Sequence, residues 1–232
     1  MPRLYFFAEG QTEQTYGDTV LKKHLAAFGV FVQGSILIAH ARKKGVTHRG
    51  GGRRYLPMKN DILRFLRQEK DRDVYFTTMI DLYALPADFP GRSEADKLRH
   101  VPRDRVAKLE THFAQDIGDP SGGPSRFIPH IQLHEFETIL LCRPAAFAPF
   151  FGDCRRQIER LEANIQGKSP ETINDGQHTA PSKRIIEAFP DYAGVKSAAG
   201  PQIAEQIGVE AVRRLCPHFD EWLKTLETLG ER

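Results

Sequence analysis

The sequence predicts an α/β protein: a mostly parallel sheet flanked by helices, followed by a helical C-terminal extension. Three observations predict it. First, three apolar runs each stop at carboxylates: Leu4-Tyr5-Phe6-Phe7-Ala8 before Glu9, Val74 to Ile80 before Asp81, and Phe127 to Leu133 before Glu135 and Glu137. Second, the first two runs are separated by segments with apolar residues at helical spacing, and that alternation favours parallel strands covered on both faces. Third, beyond Leu141 only helical spacing remains. The α/β domain is therefore drawn over 1–143 and the extension packed on it over 144–232.

Each element has its own signal. After Glu9-Gly10, Tyr16, Val20, Leu21, Leu25 and Phe28 recur at helical spacing, and Gly29 is placed to end that helix. Val30 to Val32 and Ile36 to Ala39 read as β structure, one strand bent at Gly34. Pro57 opens a helix carrying Ile62, Leu63, Phe65 and Leu66, which feeds the run ending at Asp81. Val106, Leu109 and Phe113 mark a helix from Arg103 to Ile117, and Asp119-Pro120-Ser121-Gly122-Gly123-Pro124 is a turn before the third run. In the extension, Ile158, Leu161 and Ile165, then Ile185, Ile186 and Phe189, then Phe219, Trp222, Leu223 and Leu226 mark helices. Seven prolines from Pro144 to Pro217 predict that these helices are short.

With 232 residues, 40% of them hydrophobic and 27% charged, the chain has enough apolar material for a full core and too much for a disordered or fibrous protein. A net charge of +3 selects no partner. Cys142, Cys154 and Cys216 are widely spaced and form no Cys-x-x-Cys pair, which argues against a disulfide framework or zinc finger and for a reducing, cytoplasmic setting. The apolar stretch before Glu9 is too short for a signal-peptide core, and no run spans a bilayer.

The acids carry the chemistry. In an open α/β sheet, ligands bind at the carboxyl ends of parallel strands, where Glu9, Asp81, Glu135 and Glu137 are expected to meet. A hard cation such as Mg²⁺ takes oxygen ligands and keeps several waters, so one to three carboxylates facing a phosphate suffice. Lys183, Arg184 and Lys196, placed in loops or at helix ends of the extension, are candidate cations for the charge that grows on a phosphate under attack. The plainer readings are that Glu9 is a helix cap, that Glu13 is a first-turn acid answering the helix dipole, and that Glu137 is an exposed helical position.

Glu9-Gly10-x-Thr12-Glu13, Asp81-Leu82-Tyr83 and His134-Glu135-Phe136-Glu137 together resemble the uncharacterised-function family 4276, which is similar to Toprim-fold, Rossmann-like proteins. Ser169-Pro170-Glu171-Thr172-Ile173-Asn174-Asp175-Gly176 and Pro181-Ser182-Lys183-Arg184 fit the same family, so the resemblance covers nearly the whole chain. It implies a site that uses Mg²⁺ or Mn²⁺ on nucleic-acid phosphodiesters, with Glu9 as general acid/base and Asp81 as metal ligand. It further implies an ATPase encoded nearby as partner, in an anti-phage or DNA-maintenance system. One departure stands out: the Toprim pattern has a second Asp where this chain has Tyr83. The missing ligand is then assigned to Glu135 or Glu137, and less readily to Asp175.

Between Arg42 and Arg54 there are six Lys or Arg residues and no acid. Arg42, Lys43, Lys44, Arg49, Arg53 and Arg54, with Arg184, are the candidate nucleic-acid contacts, since glycines let the backbone approach a phosphate chain that the cations neutralise. The order of residues excludes a P-loop. His130 and His134 beside Glu135 lack the metalloprotease order, and His134 is instead expected to support the metal site. The helix–Gly–helix rhythm from Ile203 to Leu215 reads as packing of two short helices rather than a DNA-binding unit. The expected activity is metal-dependent hydrolysis of DNA or RNA. The rival is a non-catalytic nucleic-acid-binding or ATPase-accessory subunit with a degenerate metal site, and a small phosphorylated ligand remains a third occupant of the sheet edge.

Overall fold

The computed structural model describes residues 1–38, 54–120, 122–123, 125–173 and 179–231, and of 39–53 only the backbone of Arg42–Lys43 and Val46–Thr47. The first strand, β1 (Arg3–Ala8), leads into a continuous helical run made of α1 (Gln11–Tyr16), a π-helical turn (Gly17–Leu21) and α2 (Lys22–Ala26). Gly29, with φ at +72°, ends the run as expected and turns the chain into β2 (Phe31–Leu37). A two-residue ladder joins β3 (Arg42–Lys43) to β4 (Val46–Thr47), and α3 (Tyr55–Gln68) leads to β5 (Val74–Asp81). Next come α4 (Arg92–Ala95), α5 (Pro102–Ile117), β6 (Phe127–Ile128) and β7 (Ile131–Gln132). The remainder is helical: α6 (Glu137–Leu140), α7 (Ala148–Phe151), α8 (Arg155–Ile165), α9 (Pro181–Ala188), α10 (Tyr192–Ile207), α11 (Val209–Leu215) and α12 (Pro217–Glu227).

The main sheet has the order β2-β1-β5-β6, with β7 joining β5 beyond β6, and every one of these pairs is parallel. Side chains alternate across it, as a sheet buried on both faces requires. Leu4, Phe6 and Ala8 of β1 and Met79 of β5 join a core with Tyr16, Leu25 and the C-terminal helices. Phe7 of β1 and Val74, Phe76 and Ile80 of β5 join a second core with Ile62 and Leu66 of α3 and Val106, Leu109 and Phe113 of α5. The chain therefore leaves β1 toward one face and β5 toward the other, the arrangement that in open α/β sheets places ligand sites at the carboxyl ends of such neighbours.

Three sequence expectations change in detail. The strand expected to bend at Gly34 is one strand with a bulge: Leu4 faces Val32 while Tyr5 faces Gly34, so Gln33 is the extra residue. The third apolar run is two short strands rather than one, because Pro129 has no N–H for a ladder. Thr78 bridges the break, its Oγ1 donating to the His130 carbonyl at 3.0 Å and accepting from the His130 N–H at 2.9 Å. Prolines do not keep every C-terminal helix short either, since α10 runs 16 residues through the buried Pro201. The cysteines are free thiols, yet Cys142 and Cys216, far apart in sequence, have their Sγ atoms 3.5 Å apart.

Trp222 ties the extension to the sheet: its Nε1–H donates to Thr77 Oγ1 at 2.8 Å, and that hydroxyl donates to the Ile128 carbonyl at 2.6 Å. The π turn packs onto the sheet through Gly17, where a Cβ would lie 2.6 Å from Phe6 Cδ1 and 2.8 Å from Ser35 Oγ. Gly17→Ala should therefore destabilise the fold by about 1–3 kcal/mol, the usual cost of overpacking. A urea unfolding midpoint no lower than that of the parent protein would contradict this account of the contact.

Candidate functional site

The site is built from backbone pairing outward. Ala8 stands opposite Met79 in the β1–β5 ladder, and the pairing continues past the strand through the Glu9 N–H to the Met79 carbonyl, 3.2 Å. The next amide, that of Asp81, donates to Glu9 Oε2 at 2.9 Å, so the ladder ends on a side-chain carboxylate. Glu9 and Asp81 are thereby fixed side by side. Two more carboxylates hang on backbone amides: Glu13 Oε2 accepts from Gly10 N–H at 2.9 Å, and Glu135 Oε2 accepts from Ser182 N–H in the first turn of α9 at 2.9 Å. The first is half of a capping box; the second places an acid at a helix N-terminus.

Glu135 and Glu137 reach this edge through a sharp turn at His134, whose φ of +63° lies in the left-handed region. A buried β-carbon-bearing residue holds that conformation only where its surroundings enforce it. Here His134 Nε2 faces the Glu171 carbonyl at 2.9 Å and so carries the proton, which leaves Nδ1 to accept from the Tyr83 hydroxyl at 3.2 Å. Tyr83, standing where the Toprim pattern has its second Asp, is thus bound to His134. Glu171, in turn, spans the start of α12, accepting from His218 N–H and Phe219 N–H at 3.1 Å each.

Glu137 is buried rather than an exposed helical position. Its Oε1 lies 3.0 Å from Lys196 Nζ and accepts from the Tyr192 hydroxyl at 3.3 Å, both on α10. The structure therefore gathers Glu9, Asp81, Glu135, Glu137 and Lys196 of the expected set. Lys183 stands exposed on α9, one residue after Ser182. Arg184 turns its guanidinium to two backbone carbonyls, those of Thr179 at 2.9 Å and Asn164 at 3.3 Å. Arg54 is exposed just before α3; the side chains of Arg42, Lys43, Lys44, Arg49 and Arg53, and the whole of Asp175, lie outside the described residues. Sequence reasoning treated Glu13 as a dipole-facing acid and missed its second role, as a buried member of the cluster. The signal for its local conformation was present in Gly10-x-x-Glu13, a capping-box spacing, but nothing local betrays its burial.

Asp81 is the electrostatic centre. Its Oδ1 is shut off from solvent without a hydrogen-bond partner. Burial, followed by repulsion from Glu9, Glu13, Glu137 and Glu135, pushes its carboxyl well above the ordinary range. Burial also raises Glu137, against the pull of Lys196, and pushes Glu13 up to about 7, with the charge on Glu9 adding to the effect. A hard oxygen-donor set with an orphaned buried carboxylate oxygen fits Mg²⁺ or Mn²⁺ in its chemistry. Among the described residues, however, the three metal-ligand-type side chains whose donor atoms lie within 4.8 Å of one another are Glu110, His130 and His218, outside this cluster.

A family model described as "Domain of unknown function (DUF4276)" matches residues 8–227. The chain belongs to that family. No curated protein and no solved structure matches it. The DUF4276 match begins one residue before Glu9 and ends at Glu227, so every carboxylate of the cluster and the α10 lysine fall inside it. No helix among the described residues is long and apolar enough to cross a membrane.

The cluster should leave a pH signature. Glu13 has its folded-state pKa raised from an ordinary 4.5 to about 7, so the folded protein holds that proton more tightly than the unfolded chain. The stability it contributes is complete below about pH 4.5 and is lost as pH rises through about 7. Glu13→Gln keeps an oxygen for the Gly10 N–H but cannot ionise. In chelator, thermal unfolding across that window should show a shallower fall of Tm with rising pH in the variant than in the parent; equal slopes would refute the shifted carboxyl.

Proposed function

We propose that this protein is a Toprim-like nuclease that hydrolyses DNA or RNA phosphodiesters with Mg²⁺ or Mn²⁺, working with an ATPase encoded nearby in an anti-phage or DNA-maintenance system. The observation that carries the reading is Asp81 Oδ1, buried and unpartnered among four other carboxylates at the carboxyl ends of β1 and β5. Evolution of a purely structural edge has no use for such an arrangement, since like charges gathered out of water destabilise the fold.

Glu9, Asp81, Glu135 and Glu137 would hold the cation. When bound, it would supply charge neutralisation at the phosphate and an acidified water as nucleophile. The chain's own groups divide the remaining work. Backbone amides orient Glu9 and Glu135, which retain partial exposure and can face a substrate. Glu13, with its pKa near neutrality, can take up or release a proton at working pH. Lys196 Nζ, 3.0 Å from Glu137, is a cation already positioned at the edge of the cluster.

Two observations favour the rival reading of a non-catalytic accessory subunit. Lys196 partly neutralises Glu137, and Tyr83 is committed to His134, as in a site that has lost its metal. The two readings separate on Asp81→Asn and Glu9→Gln. On the nuclease reading both variants lose Mn²⁺ binding by calorimetry and lose cleavage of labelled DNA and RNA by at least about 100-fold. In addition, metal-free Asp81→Asn should unfold at a higher temperature than the parent at neutral pH, because an amide avoids the cost of protonating a buried carboxyl on folding. Parent protein that binds no Mn²⁺ at the cluster would leave the accessory role.

A further inference from the structure

We infer that Glu110, His130 and His218 form a second cation site, for a zinc-type transition-metal ion, that staples α12 to α5 and to the broken strand between β6 and β7. Glu110 comes from α5, His130 from the β6–β7 break and His218 from the first turn of α12. Glu110 Oε1 and Oε2 lie 3.0 and 3.1 Å from His218 Nε2, and Oε1 lies 3.8 Å from His130 Nδ1. The three donor atoms all fall within 4.8 Å of one another. A tetrahedral ion with bonds near 2.1 Å holds its donors roughly 3.4 Å apart, a spacing that these distances bracket.

A Glu110–His218 ion pair accounts for only part of this arrangement. Gln132 Nε2 donates to the Leu133 carbonyl at 3.4 Å, so its Oε1 must accept from His130 Nε2 at 3.3 Å. That contact puts the imidazole proton on Nε2 and leaves Nδ1 with a bare lone pair. His130 is fully buried and its Nδ1 has no hydrogen-bond partner, yet it faces a carboxylate oxygen. His130 Nδ1 and Glu110 Oε1 are both electron-rich and stand 3.8 Å apart with no His130 proton between them, and a cation held by both would satisfy the orphaned nitrogen.

The surroundings are those of a metal site. Gln132 fixes the His130 tautomer, and the Ile131 N–H holds Glu110 Oε1 at 2.7 Å. The His130 ring lies near that of His218, with centroids 4.8 Å apart and planes within 20° of parallel, and packs against Trp222 at 4.3 Å, which restrains its orientation. Two imidazole nitrogens and one carboxylate select Zn²⁺, Co²⁺ or a similar ion over Mg²⁺, which prefers oxygen alone. The site is therefore distinct in chemistry, as in place, from the carboxylate cluster at Asp81.

Co²⁺ is the direct probe. Titrated into chelator-treated full-length protein at about pH 7.5, it should produce the visible absorption of a four-coordinate ion at one equivalent, bleached by Zn²⁺, and Zn²⁺ should raise Tm. Glu110→Gln and His218→Ala should abolish the band. His130→Phe, which keeps the ring stack while removing Nδ1, should weaken Co²⁺ binding at least tenfold with an unchanged circular-dichroism spectrum, and it decides the matter should the other two fail to fold. Asp81→Asn should leave the band intact, so failure of the nuclease reading does not touch this one. Folded parent protein without a four-coordinate Co²⁺ spectrum, or a spectrum unaltered in folded His130→Phe, overturns the proposal.

Discussion

Parallel pairing of β1 with β5 is the constraint on which the rest depends. Because the ladder is in register to Ala8 and Met79, the residues just beyond it are Glu9 and Asp81, and the last amide of β5 closes on the Glu9 carboxylate. Neither acid could relocate without breaking a backbone hydrogen bond at a strand end. The pairing is itself secured by a core on each face of the sheet, with Leu4, Phe6 and Ala8 packed on one side and Phe7, Phe76 and Ile80 on the other. Hydrophobic burial of this extent can hold together charges that repel.

The residues beyond 143 complete the site rather than merely covering it. Helix α9 presents a backbone amide to Glu135, while α10 brings Lys196 and Tyr192 to Glu137. Gly200 permits that approach, since a Cβ there would meet Tyr192 Oη at 3.2 Å and Thr12 Cγ2 at 3.3 Å, between α10 and α1. The same core cluster includes β1 residues and Phe219, Leu223 and Leu226 of α12. Separating the two parts would strip the cluster of its countercharge and expose one face of the sheet.

How far this was legible in the sequence depends on the range of the interactions involved. Apolar runs that end in acids announced β1 and β5, and helical spacing announced α5 and α12, because burial of alternating or periodic side chains is written locally. Gly29 likewise marked its own turn. The break of the third run at Pro129 was readable from the missing N–H, but its repair by Thr78, some fifty positions away, was not. Glu13 read as a helix-capping acid, which it is; its burial follows only from α10 packing over α1. Glu110, His130 and His218 sit on three elements with no shared spacing, so no motif could have joined them.

Charge balance links the fold to its chemistry. Glu13, Asp81, Glu135 and Glu137 lie together beside Glu9, and the ion pair described within this group is that of Glu137 with Lys196, so full ionisation would crowd like charges in a partly buried place. The crowding is relieved by protons in the metal-free protein, which is why burial and mutual repulsion raise Asp81, Glu13 and Glu137 together. On the nuclease reading, protons and divalent cations would compete for the same oxygens, and loading a cation at neutral pH would release protons. A polyanionic substrate would be repelled by the ionised cluster and drawn by a cation bound there. On the nuclease reading, cation loading must therefore precede engagement of the nucleic acid, and an order imposed by electrostatics keeps the metal-free protein from holding a substrate it cannot cleave.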